Sequence, residues 1–369
     1  MNQEQHTPAE ISATLIITAH AEFLESALHE LKRVESRLSE AEVLAPGIAL
    51  CSVPDLPGFR RSIAEARPIF TRHIAPVQAV IKIKNTEADL ANLAVSLAEL
   101  PTFPMLERGQ HFSVQSRLVQ SEEGGSKRAY SSGMLNKMLA EAIVEETGAV
   151  EDIKHPAIVV SLLCTREQAY IGISLARENL SAWPGGMRHF AQTEEQISRA
   201  EFKLLEALEI FGVTLPTRGR ALDLGAAPGG WTRLLLEAGL RVVAVDPAKL
   251  DPRLVRRPNL THYRGYAESY LEEFEDQQQR FDVITNDMRM DAREAARLLI
   301  QMRSFLQRDG FIISTLKLPH ATVSIDPLRN LREAISLVSR HFDIVQAKQL
   351  FHNRQEVTII AARPRSKEL

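Results

Sequence analysis

The stretch Asp223-Leu-Gly-Ala-Ala-Pro-Gly-Gly-Trp-Thr-Arg233 decides the fold. Ala221 and Leu222 lead into an acid and a glycine-rich turn, and Trp231, Leu234, Leu235 and Ala238 follow at helical spacing. This pattern predicts a strand, a tight turn and a helix whose N-terminus points at the turn. Glycines there would let a ligand lie against bare backbone, because a Cβ would stand in its way. Further on, Arg241-Val-Val-Ala-Val-Asp246 is an apolar run that closes on a carboxylate. In open α/β sheets an acid at that point accepts the hydroxyls of a ribose. Together the two features specify a nucleoside-bearing cofactor on an α/β sheet. A turn needing glycine only for its geometry would not explain the acid at Asp246.

The glycine spacing separates two cofactor classes. A dinucleotide turn needs Gly-x-Gly-x-x-Gly, and here Ala227 occupies the second glycine position while Gly225, Gly229 and Gly230 flank Pro228. That counts against a pyrophosphate and against a dehydrogenase. The spacing, with an acid ahead of the first glycine, resembles the S-adenosylmethionine loop of class I methyltransferases. The resemblance implies that Asp223, Gly225, Ala226, Pro228, Gly229, Gly230, Trp231, Asp246 and Asp287 bind that cofactor.

Composition sets the frame. A chain of 369 residues exceeds one ordinary domain, and its 44% apolar and 25% charged content is that of a globular protein. No apolar run approaches the ~20 residues of a membrane span, and the polar start Met-Asn-Gln-Glu-Gln-His is unlike a signal peptide. Cys51 and Cys164 fit no zinc spacing and read as buried reduced thiols of a cytoplasmic protein. Charge is uneven: residues 1–195 carry a net −7 and residues 196–369 a net +4, so phosphate contacts are expected on the second half or on a local patch of the first.

Three blocks are visible. Residues 1–84 read as a small α+β unit, with strand-like Ala13–Thr18, Gly47–Val53 and Val77–Ile83 around a helix at 23–31. Residues 85–190 hold a helix through Leu90, Leu93, Val95 and Leu97, and a half-buried alternating strand at His111–Arg117. A polar loop at Glu122–Arg128, a helix face of Leu135, Met138, Leu139 and Ile143, and strands at 157–164 and 168–174 complete that block. A turn-rich exit at Trp183–His189 closes it. Residues 196–369 alternate strand and helix, with strands predicted at 220–224, 241–245, 260–263, 281–286, 310–317, 343–348 and 356–362. Helices are predicted at Asp291–Leu306 and, after an Asp326-Pro327 cap, through Leu328, Leu331, Ile335 and Val338. Such alternation means a parallel sheet covered on both faces. The last two strands lack a helix between them and should form an antiparallel hairpin.

Ligands of such sheets bind beyond the carboxyl ends of the strands, so polar residues at those ends are the catalytic candidates. Asp287 ends Phe281-Asp-Val-Ile-Thr-Asn-Asp-Met288, and Lys317 closes an apolar run where lysine is rarely found unpartnered. Glu356 opens the last strand, which brings it to the same edge if that strand runs antiparallel. Lys203 lies on the predicted helix Ser198–Glu206. Singly, each has a plain structural explanation: a turn cap, a snorkelling lysine, an edge-strand guard, a solvated helix charge.

Lys203, Asp287, Lys317 and Glu356, in that order around the glycine turn, resemble the Lys-Asp-Lys-Glu tetrad of the FtsJ-type RNA ribose 2′-O-methyltransferases. The flanks Ser198-Arg-Ala-x-Phe-Lys-Leu-x-Glu206 and Asn286-Asp-Met288 are similar too. Leu316-Lys-Leu-Pro319 and the Gly-Gly-x-Arg exit at 185–188 resemble the RlmM-type large-subunit rRNA enzymes, which carry a THUMP domain in front. The resemblance implies a seven-stranded Rossmann-like class I methyltransferase sheet at 196–369, a ferredoxin-like unit at 1–84 and a THUMP-like RNA-binding domain at 85–190. It implies methyl transfer from S-adenosylmethionine to a ribose 2′-hydroxyl of RNA, with no metal. Lys317 would serve as base or oxyanion stabiliser, Asp287 and Glu356 would hold the lysines, and Lys203 would touch the nucleotide's phosphate or 2′-oxygen. DNA lacks the acceptor oxygen. Lys127, Arg128, Lys137, Arg188 and His189 are candidate RNA contacts of the front half. One departure stands out: the family's adenine-binding acid is expected where Tyr266 or Ala267 stands, and Glu268 comes late. Three alternatives stay open on sequence: a base methyltransferase, against which Asn286-Asp-Met-Arg289 argues, an RNA-binding protein that keeps the fold and the cofactor without turnover, and a methyltransferase of another RNA such as tRNA.

Overall fold

The computed structural model describes residues 12–119, 128–277, 279–318 and 327–365. The chain divides into two compact units, Met1–Arg188 and His189–Leu369. Among the described residues no helix is long and apolar enough to cross a membrane.

The first unit contains two sheets. β1 (Ala13–Thr18), α1 (Leu24–Val34), β2 (Glu42–Ala45), β3 (Ile48–Val53), α2 (Leu56–Ala66) and β4 (His73–Val77) form an antiparallel sheet in the order β2-β3-β1-β4. Alternate residues Leu15, Ile17, Cys51 and Val53 point to one face and bury against Leu31, Phe59 and Ile63 of the two helices. β5 (Ala79–Lys82), α3 (Ala88–Ala98), β6 (His111–Leu118), α4 (Ser132–Thr147), β7 (Val150–Glu151), β8 (Ile158–Cys164) and β9 (Gln168–Leu175) form the second sheet, in the order β5-β9-β8-β6-β7. Ser131 starts α4 by accepting the Met134 amide at 3.2 Å, and Gly148 ends it at a φ of 71°.

Two readings of this unit need correction. Val77–Ile83 is not one strand, because the chain passes from the first sheet to the second at Gln78. The Gln78 amide donates to Ile171 O at 2.7 Å, while its side chain donates to Ile173 O and accepts from Ile173 N. Gly172 makes the crossing feasible, since a Cβ there would stand 1.9 Å from the Pro76 carbonyl. β6 is buried on both faces from Phe112 to Ser116 rather than half-buried. Several of its polar groups are bonded instead of solvated: Ser116 N donates to Asn136 Oδ1 and Gln115 Nε2 to Ala182 O. Among the expected RNA contacts, Arg128 is turned inward onto the carbonyls of Cys164 and Thr165, Lys137 pairs with Glu141 at 3.8 Å, and Arg188 lies over the Trp183 ring. Lys127, Pro319 and Asp326 lie outside the described residues. Both cysteines are buried free thiols, and burial pushes each up to about 11.

The second unit alternates α5 (Glu201–Phe211), β10 (Arg220–Leu224), α6 (Gly230–Glu237), β11 (Arg241–Val245), α7 (Pro252–Val255), β12 (Leu260–Tyr263), α8 (Ala267–Phe274), β13 (Phe281–Asn286), α9 (Ala292–Met302), β14 (Leu306–Lys317), α10 (Pro327–Ser339), β15 (Phe342–Lys348) and β16 (Glu356–Pro364). The seven strands run β12-β11-β10-β13-β14-β16-β15. The first five in this order are parallel, and β16 lies antiparallel between β14 and β15. Strand order reverses between β10 and β13, which opens a crevice at their carboxyl ends. Leu222, Leu224, Ile284, Ile312, Ile313 and Ile359 are fully buried, as a sheet covered on both faces requires.

Helix bounds differ from expectation at two points. α5 begins at Glu201 rather than Ser198. α9 stops at Met302, one 3-10 turn follows, and β14 starts at Leu306. That strand then bulges through exposed Gln307–Asp309, and Gly310 lets it return where a Cβ would meet Asp282 O at 2.7 Å.

Candidate active site

Asp223 stands near the end of β10 with 1% exposure. Its carboxyl oxygens accept from Thr232 Oγ1 at 2.6 Å and Thr285 Oγ1 at 2.8 Å. Burial pushes its pKa up to about 6, and the two hydroxyls oppose that shift. The turn that follows is shaped by its own neighbours. A Cβ on Gly225 would stand 2.3 Å from Met288 Cγ, on Gly229 2.3 Å from Leu254 Cδ1, and on Gly230 2.4 Å from Ser198 Oγ. The glycines therefore answer first to packing within the chain, not only to an approaching ligand. Trp231 likewise belongs to the core: its indole N–H donates to Ala200 O at 2.6 Å and the residue is 3% exposed. Asp246, just past β11, accepts from Ala227 N at 3.0 Å and Ala248 N at 2.8 Å, tying that strand end to the turn.

The four catalytic candidates meet. Lys203 Nζ lies 3.0 and 3.2 Å from the two oxygens of Asp287 and 2.6 Å from Glu356 Oε1. Lys317 is ion-paired to the other oxygen, Glu356 Oε2. The pairing follows from register, since antiparallel β14 and β16 set Lys317 directly opposite Glu356. Thr315 Oγ1 donates to Asp287 Oδ1 at 3.0 Å, and Asn353 Nδ2 to Glu356 Oε1 at 3.4 Å. The two lysines are not equivalent. Lys203 spends its three ammonium donors on three carboxylate oxygens, whereas Lys317 keeps 32% of its side chain exposed. Burial, then the nearby Lys203 charge, lowers Lys317 to about 8, with Asp287 pulling the other way.

These groups border a cavity of about 520 Å³. Asp223, Gly225, Ala226, Pro228, Gly230, Trp231, Lys203, Asp287, Lys317 and Glu356 line it, while Gly229 and Asp246 do not. Four kinds of residue in the lining escaped the sequence reading of roles. Ser198 Oγ is buried and has no hydrogen-bond partner among the described residues, although it stood in the quoted Ser198-Arg-Ala flank. Arg199, Arg289 and Arg354 are exposed, and their guanidinium groups have no partner among the described residues. Phe202 and His352 complete the wall. The signal for Arg354 and His352 was present in His352-Asn-Arg-Gln-Glu356, one loop ahead of a candidate acid. At the expected adenine position Tyr266 is 67% exposed, Ala267 is buried, and Glu268 lies in the first turn of α8.

A glycine turn on the first strand, an acid after the second and a lysine–carboxylate cluster at the switch point are the features to set beside known proteins. Residues 196–357 match the FtsJ-like methyltransferase family. That part of the chain is similar to FtsJ-like methyltransferases, whose methyl donor is S-adenosylmethionine.

A Halorhodospira halophila protein named ribosomal RNA large subunit methyltransferase M is 35% identical over 50% of this chain and 52% of its own length, so the match spans about half of that relative. A protein of the same name from Xylella fastidiosa (strain 9a5c) is 27% identical over 80% of this chain and 82% of its own. Among solved structures, TrmN from Thermus thermophilus aligns over 95% of this chain and 100% of its own at 17% identity with a TM-score of 0.39.

The cavity suits the donor. A buried hydroxyl without a partner, Ser198 Oγ, and a buried carboxyl, Asp223, face it beside the turn, where a polar amino-acid end requires both an acceptor and a donor.

Proposed function

We propose that this protein transfers a methyl group from S-adenosylmethionine to a ribose 2′-hydroxyl of RNA, and that the RNA is large-subunit rRNA. The carrying observation is the Lys203–Asp287–Lys317–Glu356 cluster at the carboxyl edge beside the glycine turn. Three unpaired arginines around the cavity support a polyanionic acceptor, because the acids of the lining are already engaged by lysines and threonines. The names of the two relatives support rRNA.

Asp223, Ser198 and the turn at 225–231 hold the methionine end, and Asp246 holds the ribose of the cofactor, which supplies an electrophilic methyl on a sulfonium. A ribose hydroxyl is a weak nucleophile whose pKa lies far above neutrality. Lys317 meets that difficulty, since an amine lowered to about 8 takes the hydroxyl proton or stabilises the forming oxyanion near physiological pH. Lys203 acts as the hub that fixes Asp287 and Glu356, and Glu356 in turn aims Lys317. Arg199, Arg289 and Arg354 grip the phosphates on either side of the target nucleotide. In this reading the first sheet, ending at Val77, belongs to a ferredoxin-like unit, and the sheet that starts at Ala79 to a THUMP-like domain that addresses the RNA, in the cytoplasm.

The test is methyl transfer to rRNA from cells lacking this gene, with the modified position mapped and then remade as a 2′-deoxynucleotide in a short RNA. Transfer to RNA and none to the deoxy substrate is expected. Transfer that persists without the 2′-hydroxyl defeats the reading in favour of base methylation.

A further inference from the structure

One residue of the cavity lining, His352, takes no part in the chemistry above. The loop between β15 and β16 is bonded to α5 through Glu206, which is 4% exposed. Its oxygens accept from Phe351 N at 2.7 Å, His352 N at 3.0 Å and His352 Nδ1 at 2.7 Å. A carboxylate that collects backbone amides is an acceptor only, so Nδ1 carries the ring hydrogen, and the tautomer this fixes has its lone pair on Nε2. His352 lines the cavity, and no described residue bonds Nε2. The ring cannot turn freely. Its centroid lies 5.3 Å from that of Phe202 and 5.6 Å from that of Phe190, which themselves stack at 5.7 Å.

The same helix therefore does two jobs on one face. Lys203 and Glu206 are three residues apart on α5. The first holds Glu356, the second holds His352, and Arg354 lies between these two in the chain and on the same cavity wall. A nucleotide with its 2′-oxygen at Lys317 would extend along this wall, past Arg354, toward His352.

Resting on the function proposed above, we infer that His352 contacts the nucleotide being methylated. Its Nε2 accepts a hydrogen bond from an N–H on the edge of the target base, and Glu206 is the positioning residue that fixes the ring for it. The contact makes transfer sensitive to the identity of the target base, independently of the tetrad.

The experiment uses short RNAs bearing each of the four bases at the methylated position. His352→Asn keeps an amide at the Nδ1 position for Glu206 but has nothing at Nε2, and His352→Gln reaches the Nε2 position. With the Asn variant, kcat/KM on the preferred RNA should fall about fivefold to tenfold, the worth of one neutral hydrogen bond. The spread among the four bases should narrow, with cofactor affinity and melting temperature kept. The Gln variant should recover part of both. An unchanged kcat/KM and spread in the Asn variant overturns the inference. So does a loss matched in both variants by lower melting temperature or cofactor affinity, which would make the histidine structural. Failure of the unaltered protein to methylate any ribose overturns the underlying reading, and this inference with it.

Discussion

Asp89 in the first unit and Glu356 in the second are both acids with almost no exposure, 4% and 2%. Asp89 is turned to its own neighbourhood. It accepts from the Lys84 amide at 3.0 Å, the Thr86 amide at 3.1 Å and the Tyr130 hydroxyl at 3.3 Å, closing the turn ahead of α3. Glu356 instead takes two ammonium groups from elements far away in the chain, α5 and the end of β14. Backbone amides around an acid fix shape and leave nothing reactive behind. Two lysines converging on one carboxylate crowd like charges into a dry place, which is costly unless something further uses them. The residue of that cost is visible in Lys317, part exposed and lowered to about 8. The donors to a buried acid thus distinguish scaffolding from chemistry better than its burial does.

The contrast breaks most severely at Lys317. Lys317→Ala should reduce methyl transfer by about 10²–10⁴-fold, the usual worth of a placed acid–base group, while cofactor affinity by calorimetry stays within a few-fold. A collapse of cofactor binding would make this lysine structural.

A gentler probe is pH. The free amine of Lys317 is the active form if it serves as the base, and its lowered pKa means that this form grows as pH rises through about 8. Single-turnover transfer should therefore rise roughly tenfold from pH 7 to 9 and then level off. A rate flat over that range assigns Lys317 to oxyanion stabilisation by its charged form.

The smallest effect should fall on Asp89. Asp89→Ala leaves buried donors unsatisfied and should cost about 1–3 kcal/mol of stability in denaturant melts. Transfer per folded molecule should not change. A large catalytic defect there would erase the distinction between the two acids.

Much of this was readable in the chain. The strand ends at Asp223, Asp287 and Lys317 showed because an apolar run closing on a charge is rare without a purpose, and all three line one cavity. The insertion of β16 between β14 and β15 was only half legible. A missing helix signals a hairpin, but which neighbour the strand takes on its other side depends on packing across the sheet. Gln78 was misread because its alternating neighbours look continuous, while its side chain hydrogen-bonds a second sheet that no local pattern announces. His352 and Ser198 were passed over for a related reason: their significance lies in what they lack, a partner at one atom, and that is a property of three-dimensional neighbours.

The inserted strand also sets an order of events during synthesis. Every other strand of the catalytic sheet is made before the one that begins at Glu356. Until that segment emerges and slides between its neighbours, Lys203 and Lys317 have no common anchor. A growing chain can hold a nearly finished cofactor turn and still be inert, so reactivity arrives abruptly with one late piece of backbone rather than accumulating as the domain grows.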